Sequence, residues 1–264
     1  MLRRQALSLL ATASAALAGE SLDPARGCAI LLDVKTQRFT TNNEALAAQT
    51  RVPPGSTIKP FVINALLKHG RIHPDTSFPC PHQLTIRGRR FDCSHPHLGA
   101  AVLPDTALAY SCNCYVARMA ERFAPGELSS ELRSFELDAT PATTPDAVRL
   151  QAIGEAGIQV TPLGLAHAYR RLAIHAAEPV IIGMEEAVKF GTAQLASVTG
   201  LRIAGKTGST RRTPTGEFLA WFAGFAPSRA PEKVIVVMLS GYSGGADAAP
   251  IAAQMLNGWR RGRS

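Results

Sequence analysis

Ser56 and Lys59 lie three residues apart in PPGSTIKPF, residues 53–61, where a Pro-Pro-Gly turn leads into an apolar-periodic run. Residues three apart on a helix share a face, so the Lys59 amine would lie above the Ser56 hydroxyl. A lysine accepts a proton only when burial or nearby positive charge lowers its pKa. The segment alone allows two interpretations: Ser56 is a helix cap, or Ser56 is a nucleophile with Lys59 as its base.

Two further motifs follow the first one along the chain. They are Ser111-Cys112-Asn113 and Lys206-Thr207-Gly208. S-x-x-K, S-x-N and K-T-G in this order form the active-site set of penicillin-binding proteins and class A β-lactamases. Each motif alone is a weak signal, but their order favours the nucleophile over the helix cap.

The segments around the motifs match the same family. The chain resembles the penicillin-binding transpeptidase domain over about residues 27–241. Its motif segments are most similar to those of elongation-type class B members. The resemblance implies a penicillin-binding/β-lactamase-like fold and a serine D,D-transpeptidase that acts on peptidoglycan stem peptides. The matching segments occur in family order: PPGSTIKPF, ALAYSCNCYVA, IGEAGIQVTPLGLAHAY, GMEEAVKFGTA, IAGKTGST and AWFAGFAP.

The resemblance and the chemistry together imply a role for each catalytic residue. Ser56 would attack the carbonyl of a D-Ala-D-Ala stem peptide, and Lys59 would take its proton. Desolvation and the cation of Lys206 would keep Lys59 neutral. Ser111 would relay a proton to the departing amine, while the Asn113 amide would hold Lys59 and the substrate backbone.

The third motif is predicted to bind the substrate. Lys206 and Thr207 on a strand would bind the substrate carboxylate, and Gly208 would let the substrate lie flat against that strand. The oxyanion hole would consist of the backbone N–H groups of Ser56 and Thr210. Amides at a helix N-terminus also favour the developing negative charge.

Two acidic residues were considered as deacylating bases. Glu127 and Glu155 are predicted to be surface or capping residues, because neither lies in an E-x-x-L-N-like segment. The prediction argues against an efficient β-lactamase of class A type.

The cysteines support two interpretations. In an exported protein, Cys80 and Cys93 could form a disulfide across a small hairpin. Alternatively, Cys80, Cys93, His97 and Cys112, spaced C-x12-C-x3-H-x14-C, could form a structural zinc site, with His95 as the alternate ligand. Similar clusters of Cys, Asp and His occur in some elongation-type relatives. The chemistry itself requires no cofactor.

Positions are also predicted for the remaining cysteines and for the side chain of Cys112 in the Ser111-Cys112-Asn113 turn. Cys28 and Cys114 are predicted to be buried positions of a strand and a helix. If Ser111 and Asn113 face the substrate, the side chain of Cys112 should point behind the active site, where the cysteine-rich hairpin could meet it.

The elements that must position these residues come from both ends of the chain. Residues 27–40 alternate in polarity and predict a hairpin, whereas LRIAGKTGS, EFLAWFAGFAP and KVIVVMLSG predict three later strands. Helices are predicted mostly in the middle and at the end. The pattern predicts an α/β (α+β) fold, with a five-stranded antiparallel sheet flanked by helices. A largely helical lobe, about residues 57–180, would be inserted between the second and third strands.

Composition and the first residues suggest an exported globular protein. The 264 residues are 46% hydrophobic and 18% charged, with a net charge of +8 and no nucleic-acid-binding module. Residues 1–18 have the charged, apolar and A-x-A regions of a signal peptide, or form an uncleaved inner-membrane anchor. Residues 19–264 would then be a single domain in the periplasm or another extracytoplasmic space.

Three functions remain open at this stage. The first is a D,D-transpeptidase whose partners are peptidoglycan stem peptides and cell-wall synthesis proteins, with β-lactams as covalent inhibitors. The second is a D,D-carboxypeptidase or weak β-lactamase, in which water deacylates the same intermediate. The third is a non-turnover sensor domain that binds penicillin or peptidoglycan.

Overall fold

The computed structural model describes residues 22–212 and 215–262. Its centre is a five-stranded antiparallel sheet in the order β2-β1-β9-β8-β7, which confirms the predicted sheet built from both ends of the chain. The sheet strands are β1 Gly27–Asp33, β2 Phe39–Thr41, β7 Ala204–Arg211, β8 Phe218–Ala226 and β9 Lys233–Ser240. Two small two-stranded sheets consist of β3 Thr85–Ile86 with β4 Arg89–Arg90, and β5 Asp138–Ala139 with β6 Ile158–Gln159.

The central strands are apolar over most of their length because both faces of the sheet are covered. Along β8, Trp221 and Phe225 face the core shared with the helical lobe. Phe222 faces a second core, which includes Met255 and Leu256 of the C-terminal helix. Adjacent strand residues point to opposite faces, so a strand buried on both faces has no polar alternation.

Helices fill the chain between β2 and β7. A helical lobe between the second and third strands of the sheet is therefore present, as the sequence predicts. The α-helices are α1 Glu44–Gln49, α2 Lys59–Lys68, α3 Pro104–Ala109, α4 Asn113–Ala120, α5 Glu127–Ser134, α6 Pro145–Ala152, α7 Pro162–His175, α8 Glu178–Lys189 and, after the last strand, α9 Ala249–Arg261. Short 3-10 turns span Gly55–Ile58 and Gln194–Ala196, and a π-turn spans Gly244–Ala248.

Local sequence signals set several of these boundaries. Thr161 caps α7 by accepting a hydrogen bond from the Gly164 N–H, and Pro162 occupies the first turn. Helix α2 ends before Gly70, whose φ of +62° favours glycine. The small hairpin turns at Gly88, as predicted, with a φ of +75°.

The predicted signal peptide, residues 1–18, lies outside the described residues. Within residues 22–212 and 215–262, none of the helices combines the length and apolar character that crossing a bilayer requires.

Candidate active site

Ser56 lies inside the 3-10 turn Gly55–Ile58, which leads directly into α2. The residue that precedes the 3-10 turn is Pro54, and the residue that precedes α2 is Ile58. Ser56 is therefore the cap of neither element, which removes the simpler interpretation of the motif. Its side chain is partly exposed between buried neighbours, so the hydroxyl is accessible while the backbone is fixed.

Three hydrogen bonds hold the Ser56 turn in place. The Thr57 hydroxyl donates to the Pro54 carbonyl oxygen at 2.7 Å, and the Tyr169 hydroxyl donates to the Thr57 carbonyl oxygen at 2.7 Å. The Gly55 N–H donates to the Gly154 carbonyl oxygen at 3.1 Å. Tyr169 and Gly154 belong to the segment IGEAGIQVTPLGLAHAY. In the sequence, only the resemblance of this segment to the family indicated that these two residues matter.

Lys59 is fully buried and its amine joins the first two motifs. Its Nζ donates to the carbonyl oxygen of Ser111 at 2.7 Å, to Ser111 Oγ at 3.1 Å and to Asn113 Oδ1 at 2.5 Å. Burial lowers the pKa of Lys59 to about 8, while neighbouring cysteine side chains and Glu155 oppose the shift. Part of the Lys59 population is therefore in the neutral amine form near neutral pH.

Lys206 is the second fully buried lysine of the site, on β7. Burial, followed by repulsion from the Lys59 cation, lowers the pKa of Lys206 well below its usual range. Its Nζ donates to the carbonyl oxygen of Thr207 at 3.1 Å. The predicted influence of Lys206 on Lys59 runs the other way: the Lys59 cation lowers the pKa of Lys206, whereas burial alone lowers the pKa of Lys59.

The second motif forms a strained turn between α3 and α4. Ser111 has a φ of +57°, a left-handed conformation that costs energy in a residue other than glycine. Cys112 is the N-cap of α4, and Asn113 Nδ2 donates to the Phe91 carbonyl oxygen at 2.9 Å. The Ser111 and Asn113 side chains both meet Lys59, whereas the Cys112 side chain is buried among other cysteines.

The third motif lies on β7, the edge strand of the sheet next to the Ser56 turn. A Cβ at Gly208 would lie 2.9 Å from the Pro54 carbonyl oxygen and 3.0 Å from Thr57 Cγ2. Glycine is therefore required for β7 to pack against the nucleophile's turn, in addition to its predicted role under the substrate.

Two threonine hydroxyls complete the description of β7. Thr207 Oγ1 donates to Thr192 Oγ1 at 2.8 Å, so Thr192 positions the hydroxyl predicted to bind the substrate carboxylate. Thr192 was missed as a site residue, although it lies in the family-like segment GMEEAVKFGTA. The Thr210 hydroxyl is buried and has no hydrogen-bond partner among the described residues. The third motif thus supplies hydroxyls as well as a lysine.

The two acidic residues considered in the sequence differ in their surroundings. Glu127 is a capping residue, as predicted, since its Oε2 accepts from the Ala124 N–H at 2.6 Å and it pairs with Arg71. Glu155, also predicted to be a surface or capping residue, is partly buried and lies one residue after Gly154, which contacts the Ser56 turn. Burial raises the pKa of the Glu155 carboxyl.

A cluster of soft ligands lies behind the second motif. The side-chain donor atoms of four residues lie within 4.8 Å of one another, and these residues are Cys80, Cys93, His95 and Cys112. The three sulfur pairs are 3.5 to 3.7 Å apart, and Cys80 Sγ is 3.6 Å from His95 Nε2. A tetrahedron with Zn–S bonds near 2.3 Å has edges of about 3.8 Å, so these donors fit tetrahedral zinc.

His97 was the predicted fourth ligand, and the structure corrects this to His95, the alternate. His95 is 8% exposed, and its Nδ1 lies 2.9 Å from the Pro96 carbonyl oxygen, which leaves Nε2 facing Cys80. The His97 ring instead packs on His82, with ring centroids 4.0 Å apart. Spacing in the sequence could not separate these two histidines, because both lie on the same loop.

The other cysteine predictions can also be compared with the structure. Cys28 and Cys114 are buried in a strand and a helix, as predicted. Cys114 is also part of the cluster's surroundings, because its N–H donates to Cys93 Sγ at 3.4 Å. Cys80 and Cys93 are free thiols 3.7 Å apart, and a disulfide between them would not explain why Cys112 converges on the same point.

Comparison with known proteins agrees with this geometry. The sequence matches the profile of the penicillin binding protein transpeptidase domain over residues 22–257. It is 25% identical to the probable peptidoglycan D,D-transpeptidase PenA of Neisseria flavescens, over 80% of this chain and 65% of that protein. It is also 25% identical to the peptidoglycan D,D-transpeptidase FtsI of Escherichia coli, over 88% of this chain and 50% of that protein. The chain thus spans about half to two thirds of the length of these relatives.

Solved structures show the same fold. The D,D-transpeptidase domain of a peptidoglycan glycosyltransferase from Eggerthella lenta has a TM-score of 0.81 at 17% identity, covering 96% of this chain and 82% of that one. PBP2 of Pseudomonas aeruginosa has a TM-score of 0.77 at 20% identity, covering 92% and 76%. The family profile matches most of the chain, and the three motifs converge in one site. The chain therefore belongs to the penicillin-binding protein transpeptidase domain family.

Proposed function

We propose that this protein is a serine D,D-transpeptidase that acts on peptidoglycan D-Ala-D-Ala stem peptides through an acyl-enzyme on Ser56. The observation that carries the proposal is the buried Lys59 amine, which contacts both polar side chains of the second motif from the first turn of the helix that follows Ser56. A buried lysine with a lowered pKa beside a candidate nucleophile is the arrangement that a general base requires.

Acylation begins with proton transfer from Ser56 Oγ to neutral Lys59 Nζ, while Oγ attacks the carbonyl carbon between the two D-alanines. The backbone N–H groups of Ser56 and Thr210 would stabilise the oxyanion. When the C–N bond breaks, the terminal D-alanine leaves with a proton relayed from Lys59 through Ser111. An amine of a second stem peptide then attacks the ester carbonyl carbon, the bond from that carbon to Ser56 Oγ breaks, and a proton from the attacking amine goes to Oγ, which leaves the cross-linked peptide and free Ser56.

Lys206 and Thr207 would bind the terminal carboxylate of the donor peptide. Within the part of the chain that the structure describes, edge strand β7 pairs with β8 alone, so an extended peptide could add to its other side through main-chain hydrogen bonds. Thr192 fixes the Thr207 hydroxyl for this purpose. This arrangement selects a peptide that ends in a free carboxylate.

We also propose a structural zinc ion held by Cys80, Cys93, His95 and Cys112. When bound, zinc would supply no chemistry to the substrate and would link the cysteine-rich loop to the turn containing Ser111 and Asn113. The support is the tetrahedral spacing of the four donors.

The proposed substrate places the protein outside the cytoplasm, where peptidoglycan is assembled, with residues 1–18 as signal peptide or anchor. Cell-wall synthesis proteins are the expected partners. A neighbour of the same fold, PBP2 of Helicobacter pylori, was solved in complex with MreC, with a TM-score of 0.81. β-Lactams would act as covalent inhibitors of Ser56.

A fluorescent penicillin tests the proposal. The wild type should form a covalent adduct that is lost in Ser56→Ala and retained in the matched control Ser134→Ala, whose hydroxyl only donates to the Glu131 carbonyl oxygen on an exposed helix. A correctly folded wild type that stays unlabelled would contradict the proposal.

Two product measurements distinguish the other functions. Mass spectrometry of a pentapeptide reaction, with and without an amine acceptor, should show the cross-linked species for a transpeptidase and only the tetrapeptide for a carboxypeptidase. With a thioester substrate, a sensor would stop after one equivalent, whereas an enzyme would continue.

A further inference from the structure

We propose that Glu155 is the base that removes a proton from water when the Ser56 acyl-enzyme is hydrolysed, so that the protein has an intrinsic hydrolase activity beside peptide transfer. This inference rests on the proposed acyl-enzyme. It assigns a role to a carboxylate that the transfer mechanism does not use.

The backbone of Glu155 lies beside the backbone of the Ser56 turn. The Gly55 N–H donates to the Gly154 carbonyl oxygen at 3.1 Å, so Glu155 and Ser56 each follow one partner of this hydrogen bond. A Cβ at Gly154 would lie 2.0 Å from the Gly55 carbonyl oxygen, which shows that the two backbones are in direct contact. The backbone of Glu155 is therefore held one residue from a direct contact with the turn that contains Ser56.

Hydrogen bonds hold the loop that carries Glu155. The Glu155 N–H donates to the Leu150 carbonyl oxygen at 3.0 Å. The fully buried Gln151 amide donates to the carbonyl oxygens of Thr140 at 2.9 Å and Gly157 at 2.7 Å. Gln151 Oε1 in turn accepts from the Ser129 hydroxyl at 2.8 Å. Such a network holds a functional group without relying on the group itself.

Two cations act on the Glu155 carboxylate. The Arg89 cation on the small hairpin and the Lys59 cation in the active site both favour the charged form of Glu155. Among the described residues, no side chain forms a hydrogen bond or ion pair with the Glu155 carboxylate. A partly buried carboxylate without a partner costs free energy, and such groups concentrate at functional sites.

The proposed step is balanced. Water oxygen attacks the ester carbonyl carbon of acyl-Ser56 as Glu155 takes one water proton. The tetrahedral intermediate collapses, the bond between the carbonyl carbon and Ser56 Oγ breaks, and Oγ takes up the proton held by Glu155, which restores the carboxylate. The products are a free carboxylic acid and the regenerated serine. With a stem peptide this is D,D-carboxypeptidase activity, and with benzylpenicillin it is slow hydrolysis to penicilloate.

The test compares acylation and deacylation in Glu155→Gln, which keeps the side-chain size and removes the base. Acylation by benzylpenicillin is measured as a second-order rate constant. Deacylation is then measured by mass spectrometry as the decay of the adduct after excess drug is removed. General bases typically contribute 10²–10⁴-fold, so we expect deacylation to fall about 100-fold relative to any change in acylation.

Two further variants separate catalysis from structure. Glu155→Asp retains a carboxylate on a shorter side chain and should deacylate at a rate between those of Glu155→Gln and wild type. Glu136→Gln removes an equal charge from an exposed carboxylate paired with Arg171 and should match wild type in both constants. The decay in wild type should release one penicilloate per adduct.

Each result has a distinct meaning. If the wild type forms no adduct, the proposed acyl-enzyme fails. If adducts form and Glu155→Gln deacylates like wild type, the acyl-enzyme stands and the role of Glu155 is wrong. If both constants fall by the same factor, Glu155 acts through Lys59 and not on water, which also overturns the inference.

Discussion

Lys59 Nζ lies 2.5 Å from the side-chain oxygen of Asn113, although 54 residues separate the two in the chain. The contact joins the first motif to the second in the interior of the protein. The same asparagine donates to the carbonyl oxygen of Phe91, which lies in the cysteine-rich loop between Cys80 and Cys93. A displacement of this loop would therefore reach the catalytic base through one side chain.

Acylation should depend on the ionisation of Lys59. Burial lowers the pKa of Lys59 to about 8, and only the neutral amine accepts the Ser56 proton. The rate constant for penicillin acylation should therefore rise with pH and reach half its maximum near pH 8. A profile that is flat from pH 6 to 9 would contradict the role of Lys59. Lys59→Ala should lower the constant by at least about 100-fold.

Tyr169→Phe should weaken the Ser56 turn. The substitution leaves the buried Thr57 carbonyl oxygen without the hydroxyl that donates to it at 2.7 Å. We expect a loss of about 1–3 kcal/mol in the free energy of unfolding, together with slower acylation. Urea denaturation measures the first effect. Tyr242→Phe is the matched control, because Tyr242 is 76% exposed, and equal losses in both variants would argue against the role of Tyr169.

Gly208→Ala should impair the site even without substrate. The new methyl group would lie 2.9 Å from the Pro54 carbonyl oxygen, so β7 and the Ser56 turn would have to separate. Overpacking of this kind costs about 1–3 kcal/mol, and thermal unfolding measures it. Gly262→Ala is the control, since its methyl group would meet nothing closer than 3.7 Å. A Gly208→Ala protein as stable as wild type would show that the glycine serves only the substrate.

The metal site predicts a difference between two neighbouring histidines. Protein purified without added metal should contain about one zinc per chain by elemental analysis. Zinc should be lost in His95→Ala and retained in His97→Ala, because only His95 faces the three sulfurs. Cys93→Ser and chelator treatment should lower both the Tm and penicillin acylation. A metal-free wild type that acylates normally, with a Cys80–Cys93 disulfide, would favour the hairpin bridge.

The sequence by itself predicted a candidate catalytic set and determined the outline of the fold. Ser56, Lys59 and Asn113 belong to motifs whose residue types and order carry the chemistry, and such motifs are local in the chain. Apolar runs such as FLAWFAGFA predicted the central strands because strands buried on both faces have no polar side.

Only the tertiary structure decided which residues meet across the chain. His95 and His97 are equivalent in spacing, and the packing of His97 on His82 separates them. Glu155 was predicted to be a surface or capping residue because it lies outside an E-x-x-L-N-like segment, and only the structure shows that its neighbour Gly154 touches Gly55. Contacts between residues a hundred positions apart depend on how the lobe closes on the sheet, and no local pattern encodes that geometry.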